Sequence, residues 1–240
     1  MKINTASKFS TPEDKSMTRL NRRQFFKVSG IAGGGLVLGL GMGSHKQARA
    51  QELEGGPAEL SPYVQIQTNG RINIFSKNPE CGQGIKTGLP LIIAEELDAR
   101  WEDVDVVQAD IDNSKFGFQI AGGSTSTPVN WMPMRQAGAT ARLMILAAAA
   151  QQLYVPITEL STSQSKVIHT TTGNEYSYGE FAELAATMPI PELETLSLKN
   201  PAEFSLLGKR YGGVDNQAIV SGKPLFGIDQ TRPGMAYATL

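Results

Sequence analysis

Cysteine is nearly absent: Cys81 stands alone among 240 residues, which excludes an intrachain disulfide and a cysteine-rich metal site. Histidine is almost as scarce. With only His45 and His169, a histidine metal cluster or a Ser-His-Asp triad has little to draw on. A surplus of positive charge is also missing, since the formal net charge is -1, and it is unevenly spread. Residues 1–50 hold nine Lys/Arg and two acidic residues, leaving the remainder at about -8, which argues against nucleic acid as a partner. The longest apolar run, residues 28–42, is too short and too glycine-rich for a good membrane span. What remains is a globular composition, 40% hydrophobic, sufficient for one substantial core or one core plus part of another.

The first fifty residues read as an address. A basic start, the apolar run and the small-x-small sequence Ala48-Arg49-Ala50 have the three-part build of an export signal cleaved near Ala50. Arg22-Arg23, followed by Phe25, Phe26 and Lys27, resembles a twin-arginine signal, with Asn21 where Ser or Thr is more usual. Lys46 and Arg49 fit that route. The expectation is a periplasmic protein that folds before it crosses the membrane, with Met1 or Met17 as the start.

Beyond the address, "YVQIQTNGRINIFS" alternates apolar and polar around Asn69-Gly70 and predicts a hairpin with strands at about 63–68 and 71–76. Ile85, Leu89, Ile92, Ile93 and Leu97 predict a helix over 86–97, with Pro90 making its first turn irregular or its start later. "DVDVVQA" is a strand candidate, "FGFQIAGGSTSTPVN" a loop, and about 130–153 a long alanine-rich helix. "KVIHT" and "EYSY" form a small hairpin bent at Gly173-Asn174, after which Ser177 and Glu180 make a capping box opening a helix through Ala186. Periodicity fades over 189–222, which reads as a linker. Residues 223–240 read as the strand-rich start of another unit, cut short at Leu240.

The stretch "PECGQGIKTGLPLIIAEEL" places two close glycines around Gln83 directly before a helix. It is either a tight turn or a seat for an anion, because glycine permits close backbone approach and the first N–H groups of a helix attract negative charge. The known phosphate motifs do not fit: Gly88 is one residue late for G-x-G-x-x-G, and Lys86-Thr87 lacks the P-loop's glycine frame. "GGSTST" is not a nucleophile elbow, because Ser126 stands where a glycine is required. Ser124, Thr125, Ser126 and Thr127 are helix-capping candidates or part of a second anion loop. Two such loops in one compact unit suggest a shared site. Glu95 and Glu96 read as a solvated helix face.

"PECGQGIKTGLPLIIAEELDARWEDVDVVQAD", "GGSTSTPVNWMPMRQAGATAR" and "VSGKPLFGIDQTRPGMAYA" together resemble the start of the molybdopterin-binding large subunit of the xanthine dehydrogenase and aldehyde oxidase family, in the branch that holds the isoquinoline 1-oxidoreductase beta chain. The resemblance implies an α+β fold, with helices packed on a small mixed sheet. It implies part of a molybdopterin-binding domain at 60–188, after a signal at 1–50. The 189–222 linker would then lead into the first residues of an α/β hammerhead-type domain at 223–240. It also implies that Gly82, Gln83, Gly84 and Thr87, with Gly123, Ser124, Thr125 and Ser126, bind a molybdenum-molybdopterin cofactor, as such or as its dinucleotide. Cys81 stands where the family more commonly has Met, and packing is its expected role. The implied reaction is hydroxylation of aldehydes or N-heterocycles with water as oxygen source and a glutamate base lying far downstream. The implied partners are a small two-cluster iron–sulfur subunit that takes the electrons, a cytochrome c as an optional further acceptor, and the remainder of the large subunit. On this reading no catalytic residue lies within these residues, which are inactive alone. A non-catalytic exported remnant, or a pterin- or anion-binding module, is the alternative.

Overall fold

The computed structural model describes residues 63–238, together with the backbone of two short strands, Gly35–Leu38 and Glu59–Leu60. The twin-arginine pair and the expected cleavage site lie outside the described residues. Among those described, no helix is long and apolar enough to cross a membrane.

The main sheet has five strands in the order β2-β1-β3-β4-β5: β1 is Gly35–Leu38, β2 Glu59–Leu60, β3 Val64–Gln67, β4 Ile72–Ser76 and β5 Val104–Gln108. It is a mixed sheet. β3 and β4 form the predicted antiparallel hairpin with Ile66 opposite Ile72, turning through Gly70 at φ 85°, a value that glycine adopts without strain. The strict alternation of buried Val64, Ile66, Ile72 and Ile74 sends one face into the core. β4 and β5 run parallel, Ile74 opposite Val106, and parallel neighbours need a crossover connection. Helix α1, Ile85–Glu96, supplies it.

α1 is apolar almost all round, as befits a helix buried on both sides: Leu89, Leu91, Ile92, Ile93 and Ala94 are all buried. It runs unbroken from Ile85 through Pro90, so the predicted irregularity is absent. A one-turn helix α2, Asn113–Phe116, follows β5 and is capped by Asp112. Helix α3, Ser126–Leu153, lies across α1 and starts four residues before the predicted point. Pro128 is tolerated there because the first turn has no intrahelical partner for an N–H. The buried small face of α3, including Ala137, Gly138, Ala141 and Ala148, lets the two helices meet closely. A Cβ at Gly138 would lie 2.3 Å from the Ile93 carbonyl oxygen and 2.8 Å from Glu96 Cβ, so only glycine fits this crossing.

A second, antiparallel sheet joins β6 (Leu160–Ser163), β7 (Lys166–His169) and β8 (Glu175–Ser177). The β7–β8 hairpin matches the sequence reading; β6 was not anticipated, because "LSTS" carries a single large apolar residue. The capping box at Ser177 and Glu180 is present, but it opens a 3-10 turn, Tyr178–Glu180, before the one-turn helix α4, Ala182–Ala185. The architecture is α+β, helices on small mixed sheets, as the resemblance implied.

From residue 189 the chain has single turns, the short helix α5, Asn216–Val220, and no further strand up to 238. The segment read as a linker is irregular, yet it is bound down as a strap. Glu95 and Glu96 are both 0% exposed, which corrects the reading of them as a solvated face. The Glu95 carboxylate accepts from the N–H groups of Ser205 (2.9 Å), Leu206 (2.6 Å) and Leu207 (3.0 Å) and from Lys199 Nζ (2.8 Å). Glu96 accepts from Arg135 Nε at 2.7 Å and from the Lys199 N–H at 3.1 Å. The Arg135 guanidinium in turn lies over the rings of Trp131 and Phe204, 5.6 and 5.3 Å from their centroids. Adjacent helix carboxylates are ordinarily exposed; here each has found buried donors on a distant segment.

Candidate cofactor site

The two glycine loops leave the carboxyl ends of β4 and β5, residues 77–84 and 109–125 respectively. Since these strands are parallel neighbours, both loops emerge on the same edge of the sheet, where ligands of open α/β units are generally bound. Their stems are tied together. Asn78, 1% exposed, donates from Nδ2 to the Ile120 carbonyl (2.8 Å) and to Ser126 Oγ (3.0 Å), while Gln119 Nε2 donates to the Lys77 carbonyl (2.8 Å). Among the described residues, Asn78 Oδ1 is buried with no hydrogen-bond partner. Sequence reasoning missed Asn78, for no motif marks a lone asparagine five residues ahead of Gln83.

The first loop braces itself. Gln83 Oε1 accepts from the Cys81 N–H at 2.7 Å and Gln83 Nε2 donates to the Pro79 carbonyl at 3.0 Å, leaving one amide hydrogen for another partner. Gly82 and Gly84 have φ of 96° and 84°, and a Cβ at either would meet nothing within 4 Å. Glycine is needed there for backbone shape, and the space beside it is open. The α1 entrance is filled by the protein's own anion: Glu80 accepts from the N–H groups of Gly82 (2.7 Å), Gly84 (3.0 Å) and Lys86 (2.9 Å). Burial pushes the Glu80 carboxyl upward, but the hydrogen bonds from Lys86, Gly84 and Gly82 outweigh it and hold its pKa below the ordinary value. Thr87 is buried, and its hydroxyl accepts from the Val214 N–H at 3.0 Å. Cys81 is exposed among the described residues, which corrects the expected packing role.

The second loop differs at its helix entrance. Gly123 and Ser124 have φ of 59° and 55°, successive left-handed residues that turn the chain sharply into α3. Thr125, at the N-cap, makes no side-chain cap; its hydroxyl donates to the Gly122 carbonyl instead. Pro128 has no N–H, and no hydrogen bond fills those of Ser126 or Thr127 among the described residues. A 28-residue helix therefore points its positive end at the loop edge without an internal counter-charge. Of the two predicted anion seats, one is self-satisfied by Glu80 and the other is open. Both loop tips, residues 81–84 and 121–125, are exposed.

Among the described residues no group of three or more His, Cys, Asp or Glu could hold a metal directly. A metal here would arrive within an organic cofactor. The donor set fits such a group: an open helix entrance and hydroxyls for an anionic tail, the spare amide hydrogen of Gln83, and a buried unsatisfied carbonyl at Asn78 between the loops.

A family model described as molybdopterin cofactor-binding domain matches residues 6–217. The beta chain of isoquinoline 1-oxidoreductase from Brevundimonas diminuta is 30% identical over 95% of this chain and 34% of its own length. The membrane-bound aldehyde dehydrogenase [pyrroloquinoline-quinone] of Gluconacetobacter polyoxogenes is 30% identical over 93% of this chain and 29% of its own. The B component of nicotinate dehydrogenase from Pseudomonas putida is 28% identical over 75% and 15% respectively. The chain thus spans about a third or less of the length of these relatives. A solved Cu,Mo-CO dehydrogenase aligns over 51% of this chain and 16% of its own, at 21% identity and a TM-score of 0.42.

Proposed function

Because the chain belongs to the molybdopterin cofactor-binding domain family, we propose that it forms the amino-terminal part of the cofactor-binding subunit of an exported molybdenum hydroxylase. Its substrates are aldehydes or N-heterocycles, and water supplies the oxygen. The substrate classes follow relatives named for isoquinoline, aldehyde and nicotinate. The observation that carries the reading is the pair of glycine loops on the edge formed by parallel β4 and β5, joined through Asn78, with the α3 entrance open.

In this reading the N–H groups of Ser126 and Thr127 and the hydroxyls of Ser124 and Ser126 hold the anionic tail of the cofactor, and Gly123 and Thr125 shape that seat. Gln83 turns its free amide hydrogen toward the cofactor. Gly82 and Gly84 keep the first loop thin enough for close approach, Glu80 holds their amides in place, and Thr87 anchors the helix behind them. When bound, the cofactor supplies the two-electron redox chemistry. No residue within this stretch is assigned as the base; that role belongs to a glutamate in the remainder of the large subunit. The electrons pass to a small two-cluster iron–sulfur subunit, and a cytochrome c is a further acceptor. Export to the periplasm by the twin-arginine route rests on Arg22-Arg23 and the apolar run that follows.

The test is isotopic. The complete enzyme, purified from its host and given benzaldehyde or isoquinoline with an artificial electron acceptor in 18O-water, should place one 18O atom in the product. Turnover without the label, or none with either class of substrate, would overturn the assignment.

A further inference from the structure

A cavity of about 270 Å³ lies between the stems of the two loops, and of the residues given a role in the cofactor site only Glu80, which braces the first loop, lines it. Its charged lining consists of Lys77, Glu80, Lys86 and Asp215. Lys86 Nζ is paired with Asp215 at 2.7 Å, and Glu80 is held by three backbone N–H groups. Lys77 is different. It is 7% exposed, and among the described residues no hydrogen bond or ion pair reaches its ammonium. Burial alone pushes its pKa down, with no nearby carboxylate raising it. The ammonium nitrogen itself is not sealed from solvent, so an anion that enters the cavity can reach it. The remaining wall is mainly apolar, led by Ile111, Leu225 and Phe226, and also carries the amides Gln108 and Gln119.

We propose that this cavity binds a small amphipathic monocarboxylate, its carboxylate paired with Lys77 and its apolar body resting on Leu225, Phe226 and Ile111. Pairing selects the class. Among the described residues, Lys77 is the one charged lining group without a hydrogen-bonding partner, so a single carboxylate can pair with it, whereas a phosphate dianion would bring more negative charge beside Glu80 and Asp215. Size selects it as well: the cavity lies just below the range that encloses drug-sized ligands, which suits a single ring or a short aliphatic chain.

Benzoate is the probe, titrated calorimetrically into the full chain, with inorganic phosphate and benzyl alcohol as competitors. Benzoate should bind with one site per chain, and neither competitor should displace it. Lys77→Met should weaken binding at least tenfold without lowering the thermal midpoint, because the variant breaks no hydrogen bond or ion pair of the described residues. Phe226→Ala, at a half-exposed position that need not disturb the core, should also weaken it. No benzoate binding by the wild type, equal binding by Lys77→Met, or preferential binding of phosphate would each overturn the proposal. The measurement involves neither molybdenum nor pterin, so its failure would leave the cofactor assignment standing.

Discussion

Replacing Glu95 by Gln keeps the volume of the side chain and removes its charge, at a position where geometry and electrostatics give the same answer. Glu95 is fully buried and gathers the N–H groups of Ser205, Leu206 and Leu207 together with Lys199 Nζ. Burial pushes its carboxyl upward, but Lys199 and the three backbone donors outweigh that and bring the pKa from 4.5 down to about 2. At about 1.4 kcal/mol for each unit, the charged form stabilises the folded chain by roughly 3 kcal/mol. Breaking a buried, hydrogen-bonded charge pair costs about 3–5 kcal/mol, which agrees in order of magnitude. A glutamine would also turn its amide N–H groups toward donors, leaving backbone groups unpaired.

The folded-state pKa of Glu95 lies below the unfolded one, so its contribution is complete above about pH 4.5 and is lost as pH falls through about 2. Urea unfolding followed by circular dichroism should therefore show Glu95→Gln about 3 kcal/mol less stable than wild type at pH 7. That gap should narrow below about pH 4.5 and nearly close near pH 2. Hydrogen exchange at Ser205, Leu206 and Leu207 should accelerate by about a hundredfold in the variant. Unfolding curves that coincide at pH 7, or a gap unchanged by acid, would mean that the Glu95 charge does not hold the strap.

Three further outcomes follow from the same geometry. Gly138→Ala should lower stability by about 1–3 kcal/mol in thermal or urea unfolding, although alanine is the better helix former, because its Cβ would overlap the Ile93 carbonyl. Glu80→Gln should loosen residues 79–86, seen as faster hydrogen exchange at Gly82, Gly84 and Lys86, and wild type should show the same loosening as Glu80 is protonated in acid; equal protection in the variant would rule out the carboxylate clamp. Cys81, exposed on the first loop, should react with a thiol reagent in the native chain at nearly its unfolded rate, and strong native protection would contradict its placement.

The elements visible in the sequence were those governed by local rules. Asn69-Gly70 dictates its hairpin turn, and the spacing of Ile85, Leu89, Ile92 and Ile93 dictates a buried helix that outweighs Pro90. What stayed hidden depends on partners distant in the chain. Glu95 and Glu96 look like an ordinary charged face until residues 199–207 arrive, more than a hundred positions later. Asn78 is one asparagine among several until Ile120 and Ser126 come within its reach. The two loops were recognised from glycine and hydroxyl content, but not the asymmetry between them. Glu80, two and four residues ahead of Gly82 and Gly84, was the available signal, since a carboxylate just before a helix entrance tends to satisfy its N–H groups. The strap could not be distinguished from a linker, because irregular backbone has no period whether it is free or bound.

The second glycine loop and the α3 entrance are proposed to hold the molybdenum-molybdopterin group. This is tested most directly by measuring molybdenum and pterin content in the complete subunit, purified from a host that makes the cofactor, as wild type and as a Ser124→Ala, Ser126→Ala double variant. Wild-type subunit should carry close to one molybdenum and one pterin, and the double variant should lose most of both while remaining folded. Wild-type subunit without pterin, or a double variant loaded as fully as wild type, would contradict this assignment.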